Sequence, residues 1–251
     1  MLGAPERAVL LAFADDEHLM GQRHTEWIGV APFLEEDLAF SSIAQDELGH
    51  AVALYELAVG GDGADVGGHT DIDACAFGRD RSAWRSCWLV EQPCTDWAAA
   101  LVRHWLYDTA EWLRWEALSG SADERVRAVA ERALQEERYH RRHADALLDA
   151  LAGDEVADQR IGEALDRLLP LAVALFDAGQ EASGADARVV GPPLAELSHP
   201  WRAEVDRRFG PRPWSSVEPP AGHDRAVRSQ YFDEVYDRMR EVISLDPTAT
   251  W

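Results

Sequence analysis

The chain of 251 residues contains no lysine, so all 24 of its basic residues are arginine. Schiff-base chemistry and lysine nucleophiles are therefore excluded. Set against 46 acids, these arginines leave a net charge of −22. That balance disfavours nucleic acid and anionic membranes as partners. Cysteine is also scarce. Cys75, Cys87 and Cys94 are odd in number and lack CxxC spacing. Neither a disulfide framework nor a thiolate-bound iron–sulfur cluster is expected, and the three read as structural thiols. No apolar run approaches the length of about 18 residues needed to span a membrane. Asp15 and Asp16 interrupt the N-terminal apolar stretch too early for a signal peptide. The expectation is a cytoplasmic protein with no membrane and no nucleic acid among its partners.

What is present reads as helix, with no strand alternation. A first long segment runs over about 5–29, with Pro5 in its opening turn, and breaks at Ala31-Pro32. A second, about 34–60, carries Glu35, Glu36 and Asp37 in its first turn and stops at Gly60-Gly61. A Gly/Asp-rich loop follows over about 61–80, then a short helix around 81–91. Thr95 can cap a third long segment reaching Leu118, and Ser121-Ala-Asp-Glu124 is a capping box for a fourth, ending near Leu151. Further helices are expected over about 155–178, kinked at Pro170, and over about 194–209 and 224–244. The prediction is a single all-α domain over 1–251, with a four-helix core at about 5–152 and a C-terminal helical extension at about 155–245. Hydrophobic residues make up 47% of the chain and ten are Trp, which suits one large aromatic-lined core.

The apolar stripes of the four long segments contain charges. In the second, Phe40, Ile43, Glu47, His50 and Leu54 share a face; in the fourth, Ala130, Ala133, Glu137, His140, Ala144 and Leu147 do. The third places Asp108 among Leu101, Trp105, Trp112 and Trp115, and the first places Glu26 with Leu19, Gln22 and Val30. Four inward carboxylates without partners are costly and would protonate. Two bound cations remove the difficulty. An acid from each of two helices plus Glu-x-x-His from each of the other two is the dinuclear pattern of ferritin-like bundles. The candidate metal ligands are thus Glu26, Glu47, His50, Asp108, Glu137 and His140, and no other catalytic side chain is required. Carboxylates with imidazole suit two iron ions, with Mn/Fe as the variant. Glu111 lies one turn from Asp108, so the residues leave open whether it replaces or supports Asp108. Asp46 and Glu136, each preceding a ligand Glu, are candidate acceptors for the outer ring N–H of the ligand histidines.

The stretch QRHTEWIGVAPFLEEDLAFSSIAQDELGHAVALYELA (22–58) resembles the ferritin-like subunits of bacterial multicomponent phenylacetyl-CoA epoxidase. That system has a catalytic subunit, which carries the di-iron ligands, and a related structural subunit in which much of the ligand set is lost. Chain length, the EWxGxAPxLEED segment, the short link between the first two helices and the terminal Trp251 resemble the structural subunit. The motifs HTEWIG (Glu26), QDELGH (Glu47, His50), WLYD (Asp108) and EERYH (Glu137, His140) resemble the catalytic one. The WLYD match and the 29 residues from Asp108 to Glu137 favour Asp108 over Glu111.

The resemblance implies a di-iron monooxygenase component that uses O2 to epoxidise or hydroxylate an aromatic acyl-CoA such as phenylacetyl-CoA. It implies homo- or hetero-oligomers with related ferritin-like subunits, and an external reductase, because the chain has no flavin, nicotinamide or iron–sulfur motif of its own. Arg79, Arg81, Arg85, Arg141 and Arg142 are candidates to meet the phosphates of CoA. The alternatives are a non-catalytic structural subunit of such a complex, and a ferroxidase or peroxide-scavenging protein of the ferritin–rubrerythrin kind.

Overall fold

A computed structural model describes residues 2–59 and 72–246. Residues 61–71 of the loop expected over about 61–80, and the terminal Trp251, lie outside the described residues; the rest of that expected loop includes a helical turn, Ala74–Gly78. The chain is an all-α, ferritin-like bundle with added C-terminal helices, and the described residues contain no strand. Its four long helices are α1 (Ala4–Thr25), α2 (Leu34–Val59), α4 (Trp97–Ser119) and α5 (Glu124–Leu151), with a one-turn helix, α3 (Trp88–Glu91), preceding α4. The extension comprises α6 (Glu155–Val173), α7 (Ala187–Val190), α8 (Leu194–Phe209), α9 (Phe232–Met239) and α10 (Glu241–Leu245). No described helix is long and apolar enough to cross a membrane.

Aspartates cap α4, α5, α6 and α7. Asp96, rather than Thr95, caps α4 by accepting from the Ala99 amide at 2.9 Å. Asp123, inside the predicted capping box, caps α5 through the Arg125 amide. The predicted first helix ends earlier than expected, at Thr25, and 26–30 form turns. Gly29 there has φ +84°, which favours glycine, and its amide donates to Asp37 at 2.9 Å, fixing the turn into α2. Pro170 sits in the last turn of α6, which runs on to Val173. The predicted 224–244 helix is in fact turns followed by α9 and α10.

Two apolar clusters occupy opposite ends of the bundle. One gathers Leu10, Phe13, Leu54, Trp115, Val126 and Ala133. The other gathers Leu101, Trp105, Ala144, Leu148, Leu165 and Trp201, drawing α6 and α8 onto α4. Between them lies a buried polar layer: residues 15–18 of α1, 47 and 50 of α2, 108 and 111 of α4, and 137 and 140 of α5. The helix register that builds this layer is set by Gly21. A Cβ at that position would stand 2.9 Å from Leu48 Cγ and 3.1 Å from the Ala44 carbonyl, so only glycine lets α1 and α2 approach this closely.

Candidate metal centre

Helix α1 has no apolar stripe because it is buried all round from Leu10 to Gly21. Its four consecutive polar residues satisfy themselves in different directions. Asp15 pairs with the buried Arg79 and accepts from Tyr55 Oη at 2.8 Å. Asp16 pairs with Arg114 at 2.8 Å and Arg225 at 3.0 Å, and accepts from the Cys87 amide at 2.7 Å. His18 packs edge-on against Phe77. Glu17 alone enters the centre of the bundle, accepting from Tyr107 Oη at 2.5 Å and lying 3.2 Å from His50 Nδ1.

Around Glu17 the layer forms three overlapping groups whose ligand-type atoms lie within 4.8 Å of one another. They are Glu17, His50 and Glu111; Asp108, Glu137 and His140; and Glu47, Asp108 and Glu111. The seven residues are buried, and His50, the most accessible of them, is only 4% exposed. Both histidines aim Nδ1 inward. His50 Nδ1 is 3.3 Å from Glu111 Oε1, and His140 Nδ1 is 2.9 Å from Glu137 Oε1. Their Nε2 atoms face out and are held across the helix pair: His50 by Glu136 at 2.8 Å, His140 by Asp46 at 3.2 Å. Each expected acceptor thus orients the histidine of the opposite helix. Trp115 Nε1 donates to Glu111 Oε1 at 2.8 Å, holding that carboxylate from below.

The sequence-predicted set is therefore brought together except at one position. Glu26 lies outside the layer, at the exposed end of α1, where it pairs with Arg23 at 2.6 Å and Arg238 at 3.3 Å. The correction follows from register. Glu26 is nine residues beyond Glu17, about 13 Å further along the axis. With Gly21 seated on Leu48, it is Glu17 that faces His50. Sequence reasoning missed Glu17 because DDEH breaks every apolar periodicity, and no stripe exists on a helix buried on all sides. Asp108 and Glu111 both reach the layer. Metal analysis tests the register: Glu17→Ala should cut bound metal to half or less, whereas Glu26→Ala should leave it intact. Loss of metal in Glu26→Ala with retention in Glu17→Ala would reverse the assignment.

Burial and mutual repulsion shape the electrostatics of the layer. Burial, reinforced by Glu111 and the other acids, pushes Glu47 well above the usual carboxylate range. Burial does the same to Glu17, Asp108 and Glu137. Glu111 goes the other way. Burial opposes its charge, but the bonds to His50 and Glu17 hold it down to about 2. His50 is raised well above its ordinary value, because its bonds to Glu111, Glu136 and Glu17 outweigh burial. Even so, both oxygens of Glu47, Asp108 and Glu137, and Nδ1 of His140, have no hydrogen-bond partner among the described residues. The short His140–Glu137 approach lacks hydrogen-bond alignment, so proximity there is not satisfaction. Orphaned buried donors and acceptors converging on one region are groups that could hold metal ions.

Beside the layer stands a column of rings. His24 Nδ1 is 3.5 Å from Glu47, and His104 Nδ1 is 2.8 Å from Asp108. His143 bridges His104 and Glu36. Sequence reading did not single these out. Their only signal was His at positions one turn from, or a few residues beyond, the predicted ligands.

A family model described as phenylacetic acid catabolic protein matches residues 4–251. The chain belongs to that family. It is also 32% identical over 199 residues to one of the subunits of 1,2-phenylacetyl-CoA epoxidase from Escherichia coli (strain K12), a match that covers 79% of this chain and 78% of the relative. Within this chain, four of the five arginines considered for a CoA phosphate are engaged. Arg79 is buried on Asp15, Arg81 pairs with Asp233 and Asp237, Arg85 with Glu181, and Arg141 lies 3.7 Å from Glu204. No disulfide joins the cysteines among the described residues; Cys87 caps α3 through its sulfur, and burial pushes its thiol up to about 12, which suits a structural role.

Proposed function

We propose that this chain is a subunit of an oxygenase complex acting on phenylacetyl-CoA or a similar aromatic acyl-CoA, and that its polar layer holds a dinuclear iron centre. The observation that carries this reading is the set of seven buried ligand-type side chains from all four core helices, most with orphaned atoms. Glu17, His50 and Glu111 would hold one ion, and Asp108, Glu137 and His140 the other. Glu47 lies between them. Bound there, a reduced iron pair supplies the electrons and the coordination site for activating O2. The protein's own residues do the rest. Glu136 and Asp46 fix the ring orientation of His50 and His140. Tyr107 and Trp115 hold Glu17 and Glu111 by single hydrogen bonds. The two apolar clusters keep bulk water from the layer. Electrons would come from an external reductase.

The similarity to an epoxidase subunit equally fits a second reading, a structural subunit that retains the centre. The test is metal stoichiometry combined with a product assay. Iron-replete protein should carry about two ions per chain. With reductase, O2 and phenylacetyl-CoA it should yield oxygenated acyl-CoA. Two ions without product, alone or beside sister subunits that hold their own centre, would favour the structural reading. Turnover of iron or peroxide alone would favour the ferroxidase reading. No metal would remove the proposal.

A further inference from the structure

The proposed centre does not use the column of rings beside it. Along the bundle axis the layer is closed by the two apolar clusters. Toward α1 and the extension it is closed by the buried pairs of Asp15 with Arg79 and of Asp16 with Arg114 and Arg225. Between α2 and α5, Glu136 and Asp46 reach the surface. Each stops on the outer nitrogen of a ligand histidine, so the rings of His50 and His140 bar that approach. The column is different. It starts at Glu36 and His143, each with a side chain 11% exposed. It ends at Asp108 and Glu47, whose oxygens are orphaned. Phe40 walls it, with its ring centroid 4.9 Å from that of His24 and 5.4 Å from that of His104.

The spacing along the column suits a metal ion in transit. Glu36 Oε2 lies 2.9 Å from His143 Nε2, and His143 Nδ1 lies 3.4 Å from His104 Nε2. Two nitrogens bound to one tetrahedral ion at about 2.0–2.1 Å stand about 3.4 Å apart, so a cation fits between these rings with little movement. When His143 donates its Nε2 proton to Glu36, its Nδ1 presents a lone pair toward His104. His24 extends the column inward. Its ring centroid is 5.1 Å from that of His104, it is 0% exposed, and neither of its nitrogens has a hydrogen-bond partner among the described residues. Leaving both nitrogens of a buried imidazole unmatched is costly, and here one of them stands 3.5 Å from Glu47. We propose that Glu36 and His143 are the entry point for a divalent cation, and that His104 and His24 pass it to Asp108 and Glu47 by exchange of one ligand for the next. Only two ring nitrogens converge at the entry, against three ligand-type side chains in each group of the layer. The ion therefore keeps water ligands there and moves on. The net charge of −22 draws cations to the protein, and Glu36 is the acid at the mouth. The inference rests on the reading that the layer holds metal.

The test mixes cobalt(II) with the metal-free full chain and follows uptake through the visible absorbance of the bound ion, with final cobalt content measured after long incubation. Glu36→Gln keeps the side-chain shape and removes the charge; His143→Phe keeps a ring and removes both nitrogens. Each should slow uptake by at least about tenfold and still reach the wild-type cobalt content. Wild-type uptake should slow as salt is raised, and Glu36→Gln should lose most of that dependence, which a purely structural role for Glu36 would leave in place. Glu155→Gln, on the exposed start of α6, should change nothing. Uptake at the wild-type rate in both variants overturns the entry point and leaves the proposed function standing. A reduced final content overturns it too, because the two residues would then serve to build the layer rather than to feed it. A wild-type chain that takes up no cobalt overturns this inference and the metal centre together.

Discussion

Metal-free protein is expected to lose stability as pH rises above the ordinary histidine value of about 6.5, and protein loaded with divalent ions is expected to gain it. His50 titrates well above its ordinary value in the fold, because its bonds to Glu111, Glu136 and Glu17 outweigh burial. The stabilisation this represents is complete below the unfolded histidine value and disappears as pH rises through the folded one. Glu17, Glu47, Asp108 and Glu137 are raised by burial and act in the same direction. Other groups work oppositely but outside this window. Glu111, held down to about 2, contributes above the ordinary carboxylate range and loses its effect only in strong acid. His104 and His143, held down by burial to about 3 and about 4, destabilise the fold only below the unfolded histidine range. Cations require ionised carboxylates and neutral Nδ1 atoms, so binding strengthens as protons leave, and the slope changes sign. Denaturation midpoints across the window, with and without ions, check this. Parallel slopes in the two forms would count against a metal site in the layer.

The second large effect is at Asp16. Asp16→Ala should destabilise the protein by about 3–5 kcal/mol, because it strands two buried guanidinium groups. Arg225 is 1% exposed and ties the Asp16 carboxylate to the carbonyls of Asp177, Leu175 and Arg85. Arg114 reaches the same carboxylate from α4 and lies 3.6 Å over the Phe13 ring. One side chain of α1 therefore joins the bundle to the segment leading into α9. The cost includes the desolvated arginines left behind as well as the lost attraction. Arg81→Ala is the contrast. Its pairs with Asp233 and Asp237 are exposed, so it should change stability by less than about 1 kcal/mol. Chemical denaturation of the two variants measures the difference. Equal effects would show that the buried network carries no special weight.

The positions of the long helices, the all-α class and the two Glu-x-x-His pairs were legible in the sequence, because each depends on residues within a few turns of one another. A 3.6-residue repeat placed Glu47, His50, Glu137 and His140 on inward faces wherever a helix had an outer face to contrast with its inner one. The roles expected of Asp46 and Glu136 were legible too, although each serves the histidine of the other helix. Helix α1 escaped the same reasoning. Buried on every side, it offers no stripe, and Glu26 stood out only through a motif match near its end. Which α1 acid meets His50 depends on how far α1 slides along α2. That is decided by the Gly21–Leu48 contact, between residues 27 apart in the chain. The pairing of Asp16 with Arg225 spans 209 positions and had no local signature. Local periodicity fixes which side chains a helix turns inward; only the packing of one helix on another fixes which of those side chains meet.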